Sequence, residues 1–423
     1  MRSDYRLSVL WDGELAGYIT PARNGGLTFA YAQSWLESVD RPISLSLPCS
    51  DKSFDEARSI AFFENLLPEG EQYQELSSKA RLSPRDIYGF LEHYGKECAG
   101  AIVVANEWEA DEPLQNMSYR DVTEELEYSL AENILHPQTN LISKMGTRLS
   151  IAGAQNKLPV LWKDGRFFVP EADSFAPTNA ILKPASSLFP DLHKNELLCM
   201  RLARAVGLEV SDASLVSFGK HLAYVVKRYD RVETENGTRR LHQEDFCQAL
   251  GVNRVHKYEE HRGPGFADCG RILLRPEVVD AAGARDNLIR CALFNYLIGN
   301  CDAHAKNFSL IHEKDAGIRL APFYDLVSTR AYPNISPRFA MAIGKAWEYE
   351  EVNKDSWRRF AKSLSVRDKL VFRLMDELVE TLTGSLENVY GQFMEEYGPS
   401  RVCADIKSFV EKGIEKFRDV ITS

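Results

Sequence analysis

The chain has 423 residues, 44% hydrophobic and 26% charged, a balance that suits a soluble globular protein with length for two or three domains. A formal net charge of −10 argues against broad non-specific binding to nucleic acid, which runs on excess Lys and Arg. Any DNA contact would be local or supplied by a partner. No apolar run approaches the roughly 20 residues of a bilayer span, and no signal-peptide core follows Met1-Arg2-Ser3-Asp4-Tyr5-Arg6. The expectation is a cytoplasmic protein without membrane contact. Its eight cysteines (Cys49, Cys98, Cys199, Cys247, Cys269, Cys291, Cys301, Cys403) lack paired metal-ligand spacing and read as reduced, mostly buried thiols.

From the start, Leu7 to Trp11 and Glu14 to Ile19 read as two strands around an Asp12-Gly13 turn, a strong hairpin signal, and Leu27 to Tyr31 as a third. Ala61 to Leu67 reads as a helix stopped by Pro68, and Ser83-Pro84-Arg85-Asp86 opens another with proline in its first turn. This first unit, a small α/β subdomain over 1–105, is followed by an acidic, turn-rich linker, Asn106 to Asn116. A mixed lobe over 106–250 alternates strands (Leu158 to Val169, Ala180 to Lys183, Leu222 to Tyr229, Arg240 to His242) with helices, and Asn236-Gly237 marks a hairpin within it. A helical lobe over 251–423 follows, closing on a helix face of Leu370, Leu374, Leu378 and Leu382. The fold class is α+β, two-lobed.

Within the mixed lobe, Ser150-Ile151-Ala152-Gly153-Ala154-Gln155-Asn156-Lys157 precedes a strand. Small residues there let backbone N–H groups approach an anion, although one glycine alone fits a plain turn as well. No Walker A and no G-x-G-x-x-G sequence occurs, which counts against a P-loop ATPase and a Rossmann dehydrogenase. Lys183 ends an apolar strand before Pro184. It suits either a nucleotide phosphate or an exposed strand end. Asp191 is placed to cap the helix Leu192 to Val206, and Glu196 stands where a lysine-pairing glutamate would be sought.

The most informative stretch comes later. Cys291 to Ile298 reads as a buried helix ended by Gly299-Asn300, so that Asp302, His304 and Asn307 fall on a loop anchored by core. Arg319 to Tyr324 reads as a short strand that delivers Asp325 at its end. An acid, an amide five positions on, and a second acid behind a new apolar run is the order in which protein kinases place a catalytic base and two magnesium ligands. Asp302 would orient an attacking hydroxyl, and Asn307 and Asp325 would hold the cation, since carboxylate and amide oxygens suit hard Mg2+.

Taken together, these segments resemble the HipA family of bacterial serine/threonine kinase toxins. The resemblance rests on Phe62 to Gly70, Ser150 to Lys157, Leu241-His242-Gln243-Glu244-Asp245-Phe246-Cys247-Gln248, Gly263-Pro264-Gly265, Asp302 to Asn307 and Pro322-Phe323-Tyr324-Asp325. It implies a kinase-like fold with an added N-terminal subdomain that uses ATP and Mg2+ to phosphorylate a protein hydroxyl, in a translation protein such as an aminoacyl-tRNA synthetase. By the resemblance Asp302 is catalytic and Asn307 and Asp325 bind metal. Ala152, Gly153, Ala154, Gln155, Asn156 and Lys157 form the phosphate loop, and Lys183 is the ATP lysine. Lys227, Arg228 and Tyr229 form a hinge that contacts the adenine through backbone groups, while Gln243, His304 and Tyr324 lie in nucleotide-contacting segments. Ser150 matches an autophosphorylated serine, and a phosphate of roughly −1.5 to −2 charge there would expel the loop that cradles ATP. The implied partner is a HipB-type helix-turn-helix antitoxin, with operator DNA reached mainly through it. The acidic Gly344 to Glu351 stretch stands where a basic DNA-facing segment is expected. Two other readings remain: a nucleotide-binding co-repressor with weak or no kinase activity, and a metal-dependent hydrolase built on Asp302, His304 and Asp325.

Overall fold

A computed structural model describes residues 5–39, 41–107, 116–135, 141–145, 152–153, 155–186, 188–235, 237–314 and 316–422. Ser150 and Ala154, and most of the expected 106–116 linker, lie outside the described residues. The chain forms two compact units, one of residues 1–184, 216–254 and 311–313 and the other of 185–215, 255–310 and 314–423.

The first unit carries two antiparallel arrangements of strands. Leu7–Trp11 pairs with Glu14–Pro21 across Asp12 (φ 55°) and Gly13 (φ 84°), the left-handed pair that a two-residue Asp-Gly hairpin demands. Leu27–Tyr31 and Ile102–Asn106 complete a four-stranded sheet on either side of that hairpin. The second sheet runs in the order Tyr119–Asp121, Arg166–Pro170, Leu158–Lys163, Ala180–Pro184, His221–Lys227, Ala213–Phe218. One contiguous core serves both sheets, from Leu7, Phe29, Phe62 and Phe90 through Leu158, Phe167 and Leu182 to Val225. The expected hairpin near Asn236 is present as Arg231–Thr234 against Gly237–Arg240, although Asn236 itself is not among the described residues.

Local chemistry moves some boundaries. The helix expected at Ser83 starts at Ile87 instead, because the Asp86 carboxylate accepts the Gly89 N–H and caps it. The helix around Phe62 runs Glu56–Phe63, capped by Asp55, and tightens into a 3-10 turn, Glu64–Leu66, before Pro68.

In the second unit the helix Ala281–Ile298 packs on Asp368–Tyr397 and Arg401–Thr422, and its second half, Cys291 to Ile298, is buried all round. Leu374, Leu378 and Leu382 are buried on the long helix as the spacing predicts, while Leu370 in its first turn is half-buried. Leu192–Ala205 packs on the same helices, but its Asp191 does not cap it. Asp191 is left-handed (φ 53°) and its carboxylate accepts the Ser400 hydroxyl at 2.8 Å. The strand before Asp325 ends at Leu320, short of Tyr324, because Pro322 has no N–H to extend a ladder. All eight cysteines are free thiols, seven of them buried and Cys49 half-buried. Among the described residues no helix is long and apolar enough to cross a membrane.

Candidate active site

The buried helix Ala281–Ile298 ends where the sequence predicts, at Gly299, whose φ of 68° is left-handed. The Gly299 and Asn300 N–H groups donate back to the Tyr296 and Asn295 carbonyls, a glycine-dependent helix end. A Cβ at Gly299 would lie 2.7 Å from the Phe409 ring and 2.9 Å from the Arg330 side chain, so no other residue fits without displacement. The loop beyond is tied down residue by residue. Cys301 donates its N–H to the Thr329 hydroxyl at 2.8 Å and accepts the Ala340 N–H at 2.8 Å. Burial pushes the Cys301 thiol up, which leaves it a neutral packing group beside the exposed Asp302.

Asp302 is held at its backbone, and the residue is exposed. Its N–H donates to the Asn300 side-chain oxygen at 3.0 Å, and its carbonyl accepts the His304 N–H at 2.8 Å and the Asn307 Nδ2 at 3.1 Å. Because the Asn307 amide nitrogen is spent on that carbonyl, Oδ1 is the amide atom left for a cation. The Asp302 carboxylate accepts the Tyr258 hydroxyl at 2.8 Å, a contact that nothing in the local sequence announces.

The residue before Asp325, Tyr324, is bonded to the same loop. The Tyr324 hydroxyl donates to the Lys306 carbonyl at 2.8 Å and lies 2.7 Å from the Ser309 hydroxyl, and the Ala321 N–H donates to the Ser309 carbonyl at 2.9 Å. On its other side Phe323 bridges Val210, donating to the Glu209 carbonyl and accepting from Ser211. Asp325 follows with φ 57°, a left-handed residue between fixed flanks. An amide oxygen and a carboxylate from two bonded segments match what Mg2+ takes from protein when phosphates and water supply the rest. Among the described residues, no group of three or more His, Cys, Asp or Glu is placed to hold a metal ion, so a zinc or dimetal hydrolase gains no support.

Of the residues expected at the nucleotide, Ala152 to Lys157, Lys183, Lys227 to Tyr229 and Gln243 belong to the first unit, and His304 and Tyr324 to the second. Lys183 is buried on Ala180–Pro184 opposite Tyr224, with its ammonium 5.6 Å from that ring's centre. Gly153 (φ 111°) bridges Pro68 and accepts the Glu69 N–H at 2.9 Å. The Lys157 ammonium donates to the Ala152 carbonyl, its own carbonyl accepts Gln72 Nε2, and the Asn156 side chain accepts the Leu141 N–H, so Ala152 to Lys157 is braced by Phe62–Gly70 and its following helix. The Tyr229 hydroxyl donates to Gln243, which joins two of the expected nucleotide residues.

Lys227 is exposed at a strand end, whereas Arg228 is buried and committed elsewhere. Its N–H donates to the Asn179 carbonyl, and its guanidinium reaches Glu97 and Asp230, each at 2.8 Å. Arg231 and Arg240 also reach Glu97, at 2.9 and 2.6 Å. Burial alone pushes the Glu97 carboxyl up, but Arg231, Arg240 and Arg228 together outweigh it and hold the carboxyl well below the usual carboxylate range. Glu196, the expected lysine partner, is buried on Leu192–Ala205.

Comparison with known proteins decides the family. Residues 7–105 match the HipA N-terminal domain and residues 149–386 the HipA-like C-terminal domain. The chain belongs to the HipA family. A HipA relative named "Putative kinase Y4mE" from Sinorhizobium fredii is 38% identical over 391 residues, 90% of this chain and 91% of that protein. The serine/threonine-protein kinase toxin HipA of Shewanella oneidensis is 27% identical over 376 residues, 86% of this chain and 84% of that one. The solved Shewanella oneidensis HipA, in a complex with HipB and operator DNA, covers 98% of both chains with a TM-score of 0.83 at 24% identity, which establishes a HipA-like α+β fold here.

Proposed function

We propose that this HipA-family chain is an ATP-dependent serine/threonine protein kinase that acts as the toxin of a toxin-antitoxin pair. The reading is carried by one observation: Asp302 and Asn307 share a loop locked by their own hydrogen bond, and Tyr324 bonds the Asp325 segment onto that loop. Asp302 orients the acceptor hydroxyl and takes its proton as the oxygen attacks the γ-phosphorus. Asn307 Oδ1 and the Asp325 carboxylate would hold Mg2+, which when bound neutralises charge on the phosphates. Lys183 meets phosphate as a point charge, and the Ala152 to Lys157 loop cradles the same groups. Phosphate on Ser150 would oppose ATP at that loop by like charge.

A HipB-type helix-turn-helix repressor is the partner, and it supplies most of the DNA contact. The make-up of Gly344 to Glu351 supports that division. Glu350 pairs with Arg330 at 2.8 Å and Glu351 accepts the Trp347 N–H at 2.8 Å, so the acids serve the local fold and add negative charge where a phosphate backbone would need positive.

Purified protein with γ-labelled ATP and Mg2+ tests the reading. Asp302→Ala should abolish label transfer while ATP still binds. Full transfer by that variant would reject the assignment.

A further inference from the structure

We propose that Tyr258 occupies the acceptor position on Asp302 and decides whether water or a protein hydroxyl receives the phosphoryl group. The inference rests on the kinase reading of Asp302. An acceptor hydroxyl must donate a hydrogen bond to the base before it attacks. The Tyr258 hydroxyl makes that bond already, to Asp302 Oδ1 at 2.8 Å.

The phenol is built into place from several sides. Its ring stands edge-on to the buried His304, with centroids 5.3 Å apart at 83°. The Tyr258 carbonyl accepts the N–H groups of His261 and Gly263, each at 3.0 Å. Gly263 is required there, since a Cβ would lie 1.9 Å from the His256 carbonyl oxygen and 2.6 Å from that of Tyr258. The next residue, Glu259, accepts the Ala342 N–H at 2.7 Å, and a Cβ on Gly265 would collide with its carboxylate at 2.6 Å. Ala340, on the same strand as Ala342, donates to the Cys301 carbonyl.

A closed circuit results: Tyr258 to Asp302, Cys301 to Ala340, Ala342 to Glu259, and back. The Gly263-Pro264-Gly265 turn thus has a physical task, which is to fold the segment tightly enough to aim Tyr258 at the base.

A hydroxyl seated on Oδ1 holds the place that a water would take on that oxygen. A protein acceptor can displace that hydroxyl with binding energy from its surroundings, and water cannot. Tyr258 would therefore set the ratio of transfer to wasteful hydrolysis.

The test uses the full chain with Mg2+ and γ-labelled ATP, no protein acceptor, and phosphate release as the readout. Y258F should hydrolyse ATP about tenfold faster than the unsubstituted protein, the worth of one hydrogen bond that water no longer has to displace. Its KM for ATP should be unchanged, and the gain should vanish in Y258F/D302N. Unchanged or slower hydrolysis by Y258F would overturn the inference, as would phosphate found on Tyr258 itself by mass spectrometry, which would make the residue an acceptor. If D302N alone releases phosphate at the unsubstituted rate, Asp302 is not the base and the kinase reading itself fails. If D302N is inactive and Y258F no faster, only the role of Tyr258 falls.

Discussion

Replacing Glu97 with Gln should destabilise the first unit by about 3–5 kcal/mol, the range for removing one member of a buried ionic network. Glu97 Oε1 accepts from Arg228 Nη1 (2.8 Å), Arg231 Nη2 (2.9 Å) and the Thr178 hydroxyl (2.8 Å), and Oε2 accepts from Arg240 Nη2 (2.6 Å). The participating side chains are at most 10% exposed, so solvent screening does little to relieve what is left. Arg228 and Arg231 would then have Asp230 as their only carboxylate in this set and Arg240 would have none, while an amide keeps the volume and one acceptor oxygen. Urea denaturation at pH 7 measures the cost. A loss under about 1 kcal/mol would refute the argument, since that is the scale of an exposed pair. The pH dependence supplies a second check. Because the folded-state carboxyl is depressed, its contribution is complete above the unfolded value of about 4.3 and is lost as pH falls below it. The gap between the unsubstituted protein and E97Q should therefore be widest at neutral pH and narrow as the medium is acidified from about pH 5. A gap that widened on acidification would mean the sign is wrong. Since Arg228 and Arg231 flank Tyr229, milder variants of the cluster should also weaken ATP binding before they unfold the protein.

Gly299→Ala should cost at least about 1–2 kcal/mol, because it combines a left-handed backbone with contacts under 3 Å to Phe409 and Arg330, and it should lower kcat by displacing Asp302. A thermal melt with turnover checks it, and an unaltered melting temperature would count against the glycine-dependent loop anchor. Asn307→Ala should raise the Mg2+ concentration needed for half-maximal transfer on the order of tenfold or more, the scale seen when the supports of a metal site are removed. An identical Mg2+ titration would take Asn307 out of the metal site.

The loop that carries Asp302 and Asn307 was legible because its signals are local. An apolar helix, a glycine that ends it, and an acid and amide five positions apart all fall within a few turns of chain, and the structure places the helix end on Gly299. Residues that depend on distant segments were not legible. Tyr258 lies 44 positions from Asp302, and Arg228 lies 131 from Glu97. Nothing in Lys227-Arg228-Tyr229 announces that the Arg228 guanidinium is buried against Glu97, which lies between a helix and a strand of the same unit. Asp191 misled for a related reason: its carboxylate reaches Ser400, 209 positions away, instead of the N–H groups of the helix it precedes. Pro322 made the shorter strand readable in principle, since a residue without an N–H rarely continues a ladder.

The placement of the chemistry on loops follows from how the backbone is satisfied. Between Gly299 and Asn307, the Gly299 carbonyl accepts from Arg330 and Thr329, and the Cys301 N–H and carbonyl are taken by Thr329 and Ala340. The Asp302 N–H and carbonyl are taken by Asn300, His304 and Asn307. With its polar backbone engaged internally, the loop offers a ligand mainly side-chain oxygens, those of Asp302 and Asn307, and the neighbouring segment adds Asp325. Such a loop needs no reorganisation when charge develops on a transferring phosphoryl group, which is the condition under which electrostatic stabilisation contributes most. On the proposed reading Tyr258 fits the same logic, since a base without that hydroxyl on Oδ1 would meet water there, and a hydroxyl held by the Gly263 turn would favour acceptors that bring their own binding energy.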